Sequence, residues 1–111
     1  MTRYVQKGEA IDYRPTVDVS AGDVIVQGSL VGVARLDIAA GTLGSLAVVG
    51  IFDAPKAFGE IEVGTPLYWD AEKKQATVTQ SGKPYLGKAV AFAADNDEVV
   101  RFLLNASFVA A

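Results

Sequence analysis

Apolar residues in this chain recur at every second position in short bursts, and each burst is closed by glycine or by a polar group. A period of two places alternate side chains on opposite faces of an extended strand. Residues 23–27, DVIVQ, show it clearly. Gly28-Ser29 then reads as a two-residue turn, and residues 30–34 and 35–38 continue as strand with Gly32 as a candidate bulge. Residues 43–52 form one long β-branched, glycine-broken run, closed by Asp53, Ala54 and Pro55. Residues 66–70 and 75–80 read as a hairpin across the polar connection 71–74. Residues 81–84 turn again. Residues 85–92 and 98–104 are the last two strands, with a polar turn at 93–97 between them. At the start, residues 3–6 and 10–13 read as short extended pieces, and Pro15 favours an extended Arg14. No segment predicts a helix of three turns, and IAAGTLGSLAVV (38–49) reads either as strand or as a short helix. Some ten short strands predict an all-β fold, a compact β-sandwich or small barrel of antiparallel strands.

Three tetrapeptides punctuate the pattern: SAGD at 20–23, AAGT at 39–42 and EVGT at 62–65. Each precedes a β-rich run, and each glycine supplies the positive φ of a turn. Their likeness is too slight to be read as a repeat.

Composition narrows the class. With 111 residues, half of them hydrophobic, the chain fits one β domain over 1–111 with a modest core. Residues 1–12 are a candidate N-terminal arm, and 105–111 a short C-terminal tail. The net charge is −3 and the ten lysines and arginines are scattered, which argues against a nucleic-acid partner. No apolar run approaches the roughly 18 residues of a helical membrane span, and the start lacks the apolar core of a signal peptide. The reading is therefore a soluble protein made in a cytoplasm, with no membrane partner. Cysteine and histidine are both absent. That removes thiol nucleophiles, thiolate zinc sites and the commonest general base and metal ligand.

Three motifs invite chemistry. Trp69, between Tyr68 and Asp70, reads either as a surface aromatic platform or as one of two side chains on opposite faces of a strand, with Asp70 opening a turn. Gly82, Gly87 and Lys88 match a phosphate-binding G-x-x-x-x-G-K, but Ala89 stands where Ser or Thr should hold Mg²⁺, and a strand follows where a helix is needed. DNDE (95–98) has the alternation of a calcium loop, but the sixth and twelfth positions fall on Val100 and Ala106 instead of Gly and Glu. A solvated turn accounts for it. The expectation is no enzyme, with no catalytic, cofactor-binding or metal-binding residues. Surface remains. The tail EVVRFLLNASFVAA is apolar on both faces and is either buried in the chain's own core or covered by another subunit. The first dozen residues are either an ordinary edge or an arm that adds a strand to a partner's sheet.

Taken in order, YVQKGEAIDY (4–13), SAGDVIVQGSLVGVA (20–34), DIAAGTLGSLAVVGIFDAPKA (37–57), GTPLYWDAEKKQATVT (64–79), LGKAVAFAA (86–94) and VVRFLLN (99–105) resemble the capsid cement or decoration proteins of tailed phages. The resemblance implies an all-β structural protein, a homo-oligomer, expected to be a trimer. It would sit on the outer surface of the mature virion head with the major capsid protein as partner. It implies no catalytic residues and no cofactor. On that reading Thr2, Arg3, Tyr4 and Val5 are candidates for capsid contact, and Phe102, Leu104, Phe108 and Val109 for the subunit interface. Trp69 is a candidate surface aromatic. The rival reading is a carbohydrate- or surface-binding β module built on the Trp69 hairpin.

Overall fold

Alternation fixes what each strand buries. In the last strand, Val100, Phe102 and Leu104 are buried while Val99, Arg101 and Leu103 are exposed. The same rule builds the whole molecule, described for residues 2–3 and 8–106 by a computed structural model. Among the described residues there is no helix, and nine strands form two antiparallel sheets. The first sheet holds β1 (Ala10–Tyr13), β2 (Val24–Gln27), β3 (Leu30–Ala34) and β4 (Gly44–Ala47) in the order β1-β4-β3-β2. The second holds β5 (Ile51–Pro55), β6 (Pro66–Asp70), β7 (Gln75–Thr77), β8 (Tyr85–Ala89) and β9 (Val99–Leu104) in the order β5-β9-β8-β6-β7. The all-β expectation holds, and of the two architectures it is the sandwich.

The core between the sheets takes Val31 and Val33 from β3, and Leu67, Trp69, Leu86, Val100, Phe102 and Leu104 from the second sheet. Each large side chain withdrawn from water contributes about 1.5–3 kcal/mol before entropy is counted. A second, smaller cluster lies on the opposite face of the first sheet. There Ala34 and Leu46, a cross-strand pair, are covered by Val19 and Ile38. The two sheets are pinned near the chain's end. Leu104 N–H donates to the Gly50 carbonyl (2.8 Å), and Asn105 Nδ2 donates to the carbonyls of Val31 (2.9 Å) and Val48 (2.8 Å).

The tetrapeptide turns are structurally equivalent. In residues 20–23, 39–42 and 62–65 the fourth N–H donates to the first carbonyl, at 3.0, 3.1 and 3.2 Å. Their third residues, Gly22, Gly41 and Gly64, have φ of 93°, 79° and 89°. A fourth turn closes at 94–97 with the same bond at 3.0 Å, but Asn96 in the glycine's place does not share the positive φ. The residue before each turn is buried and bridges to its counterpart: Val19 to Ile38, and Ile61 to Ala93. A weak sequence likeness thus marks a recurring turn beside a buried bridge. In the first pair the clasp is reciprocal. Asp18 Oδ1 accepts from Ala40 N–H, and Asp37 Oδ1 accepts from Ala21 N–H, both at 2.8 Å. In the second pair Glu60 and Phe92 stand in those places, and the turn is held instead by Lys56, whose Nζ donates to the Asp95 carbonyl at 3.1 Å.

Several strand bounds differ from the sequence expectation. The run 43–52 is two strands in two different sheets, separated at Gly50 (φ 128°). Residues 38–49 contain no helix. Residues 35–38 contribute only the bridge at Ile38. The strands predicted over 75–80 and 85–92 stop at Thr77 and Ala89. Apolar alternation continued past the last ladder partner in these cases, so the pattern overstated the strand. Most of the expected 3–6 strand lies outside the described residues.

Candidate docking surfaces

The outward face of β5 and β9 pairs Ile51 with Leu103, Asp53 with Arg101, and Pro55 with Val99. Ile51 is 60% exposed, Val99 51% and Leu103 39%. Between the apolar pairs sits one ion pair: Arg101 Nε donates to Asp53 Oδ1 (2.9 Å) and Arg101 Nη2 to Asp53 Oδ2 (3.1 Å). This fork geometry holds the Asp53 carboxyl below its ordinary range, chiefly through the hydrogen bond from Arg101. The same bond raises Arg101 above its ordinary value. The face thus presents three exposed aliphatic side chains around one ion pair.

A second surface arises because the sheets do not overlap fully. Val33 pairs with Ala47, and Ala47 with Ala10, so these residues share the inter-sheet face. Yet no residue of β1 or β4 belongs to the inter-sheet core. The overhanging half-face is the floor of a depression of about 1000 Å³, made by Ala10, Asp12, Ser45 and Ala47. Its walls carry the exposed Leu36, Leu43 and Val49. Three carboxylates, Glu9, Asp12 and Asp37, and one guanidinium, Arg35, also line it. Small floor residues, apolar walls and an acidic balance suit an extended polypeptide better than a small molecule.

The residues singled out from the sequence fall in different places. Thr2 and Arg3 are exposed. Tyr4, Val5, Phe108 and Val109 lie outside the described residues. Phe102 and Leu104 are each 1% exposed inside the chain's own core, which corrects their expected place at a subunit surface. Arg101 between them marks the outward parity, and that outward row carries Val99 and Leu103, which the sequence reading passed over. Trp69 is 6% exposed and packs in the inter-sheet core, so it is not a surface aromatic, and the glycan-platform reading loses its platform. Tyr68, on the other face, is buried as well. The Tyr85 ring meets it edge-on at 5.9 Å, and the Tyr85 hydroxyl donates to the Ala106 carbonyl at 2.7 Å. Asp70 does open the turn: its Oδ1 accepts from the N–H groups of Glu72 and Lys73.

The glycine-lysine stretch 82–89 is turn and strand. Gly87 is there for close backbone approach: a Cβ at this position would lie 2.1 Å from the Leu103 carbonyl oxygen. It also sits opposite the register shift between Leu67 and Tyr68. In 95–98, Asp97 Oδ2 accepts from Ala94 N–H and closes the fourth turn. Among the described residues no group of three or more acidic side chains is placed to hold a metal ion, and no helix is long and apolar enough to cross a membrane.

Comparison with known proteins adds one positive finding. A family model described as phage cement protein matches residues 5–104, a span that includes every strand of both sheets. No curated protein and no solved structure matches the chain.

Proposed function

The chain belongs to the phage cement protein family, and from that premise we propose that it binds the outer surface of the mature phage head as a trimer and locks the major capsid protein in place. Membership makes it a virion component with a capsid-stabilising role, and a structural protein by family. What supports this reading is the extent of the match, from residue 5 to the end of β9, together with the exposed aliphatic row on the β5–β9 face.

The mechanism is linkage. A partner that binds only the expanded shell stabilises that state by about 2.7 kcal/mol per site at a hundred times its dissociation constant. Many sites per shell make the total large while each contact stays modest. A trimer that touches several shell subunits at once gains avidity. It selects the mature lattice when expansion brings those subunits to the spacing the trimer requires. The row Ile51, Val99 and Leu103 around the Asp53–Arg101 pair is the described face best suited to such contact. Phe108 and Val109, beyond the family match, are proposed to pack between copies.

The test is binding of purified protein to expanded heads and to unexpanded precursors, followed by heating of the decorated heads. Saturable binding to expanded heads alone, with a raised disruption temperature, is expected. Equal occupancy of both forms, or none on the mature form, overturns the proposal. Native mass spectrometry reads the trimer directly.

A further inference from the structure

The depression over β1 and β4 has an occupant of matching chemistry in the chain's own first residues. We propose that it receives the N-terminal arm, residues 2–7, of a second copy. The inference rests on the assembly reading above and revises the partner of the arm: Thr2 to Val5 contact another copy rather than the shell.

Three observations converge. The depression is acidic, with Glu9, Asp12 and Asp37 against Arg35, and the arm TRYVQK carries Arg3 and Lys7 with no carboxylate. In an extended arm Arg3, Val5 and Lys7 share one face. The small floor residues Ala10 and Ala47 leave room for a side chain of valine size, and the carboxylates at the rim complement a segment that carries two cations. The root of the arm lies at the rim. Glu9 lines the depression, and its carbonyl accepts from Val48 N–H at 3.0 Å, so β1 stays in the sheet up to that residue.

The arm's own depression is a poor seat. To cross the face of its own strand the chain must reverse at Gly8 and climb to packing height, about 10 Å above the sheet. At about 3.3 Å per residue that uses roughly three residues, and too few remain to run along the floor. Thr2 and Arg3 are exposed and do not line the depression. In a closed ring each copy passes its arm at full length to the next copy, and such a contact needs no outside partner because each copy brings both halves.

The chain has no cysteine, which makes crosslinking clean. Thr2→Cys protein is mixed with Ser45→Cys protein carrying a size tag, both positions being exposed. Under mild oxidation the mixed disulfide should dominate over either self-linked product. Deleting residues 2–7 should weaken self-association at least tenfold by sedimentation velocity, with circular dichroism unchanged. Asp12→Lys should do the same, and adding Arg3→Glu should restore it. An intrachain link in a Thr2→Cys/Ser45→Cys double variant, or a monomeric parent protein, overturns the inference. A deletion variant that stays oligomeric but no longer binds expanded heads also overturns it, while leaving the cement function standing. Arm exchange without head binding is the converse, in which the exchange holds and the cement reading fails.

Discussion

Asn105 reaches across the sandwich to Val31: its side-chain amide donates to the Val31 carbonyl and, with the second hydrogen, to that of Val48. One side chain at the end of the second sheet thus satisfies two backbone acceptors of the first sheet and the segment leaving it. Asn105 holds φ at 54°, a left-handed conformation that asparagine tolerates better than most residues. Asn105→Asp replaces the two donors with a charged acceptor facing two carbonyls. It should destabilise by about 2–4 kcal/mol, and Asn105→Ala by about 1–3 kcal/mol, since buried acceptors left unpaired cost more than the bond itself contributes. Urea unfolding with an unchanged m-value checks both.

Gly87 and Leu103 make the closest backbone approach among the described glycines. Gly87→Ala should cost at least about 3 kcal/mol or prevent folding, because main chain, not a pliable side chain, must give way. Gly22→Ala, which meets nothing within 4 Å and is strained only by its φ of 93°, should cost about 1 kcal/mol. Thermal melts of the two variants separate crowding from conformational strain.

Asp18 and Asp37 clasp each other's turns through backbone N–H groups. Replacing either with Ala should cost about 1 kcal/mol, as loss of a comparable capping side chain does at a helix start. The double replacement should cost less than the sum, because the first loss already loosens the Val19–Ile38 bridge that both support. Asn at either position keeps an accepting oxygen and should be milder. A double-mutant cycle by chemical denaturation reads the coupling.

Tyr85 and Asp53 give opposite pH dependences. Burial, with Tyr68 nearby, raises the Tyr85 hydroxyl above its ordinary value. Its contribution is therefore whole below the unfolded-state pKa of about 10 and is lost as pH rises through the folded value. Tyr85→Phe removes the hydrogen bond to Ala106 and should flatten the alkaline limb of the stability profile. Asp53 is depressed by Arg101, so its contribution is whole above the unfolded carboxylate pKa of about 4 and is lost as pH falls through the folded value. Asp53→Asn should flatten the acid limb slightly. The effect should shrink in high salt, because both partners are largely exposed.

The sequence carried the fold class and most of the strands because each of these features is local. Val24 to Gln27, Pro66 to Asp70 and the turn at Gly28 are legible from period and turn chemistry alone. What it did not carry depends on which sheet a strand joins. Nothing local in 43–52 says that Leu46 and Phe52 belong to different sheets. Parity was available for β9, since Arg101 points outward, yet the apolar residues around it hid the alternation and sent Phe102 and Leu104 to the wrong side. Trp69 was open between core and surface for the same reason: both faces of β6 are apolar, and only the covering by Tyr85 shows that both are buried. The depression was invisible, because it exists where two sheets fail to overlap. Its floor of alanine and serine reads as unremarkable strand.

Among the described residues β9 is the last strand in sequence, and it sits inside its sheet, between β5 and β8. During synthesis β5 therefore lacks its ladder partner until β9 has emerged, and only the parallel Lys56–Ala76 bridge joins its end to β7. Until then β5 meets the β6–β7–β8 group at that one bridge, with the other side of the sheet still open. The late insertion of β9 then delivers Phe102 to the core and Asn105 to its carbonyls together, which gives premature termination a sharp penalty: a chain stopped before β9 keeps the turns at 20–23, 39–42, 62–65 and 94–97 but loses the strand that joins β5 to β8.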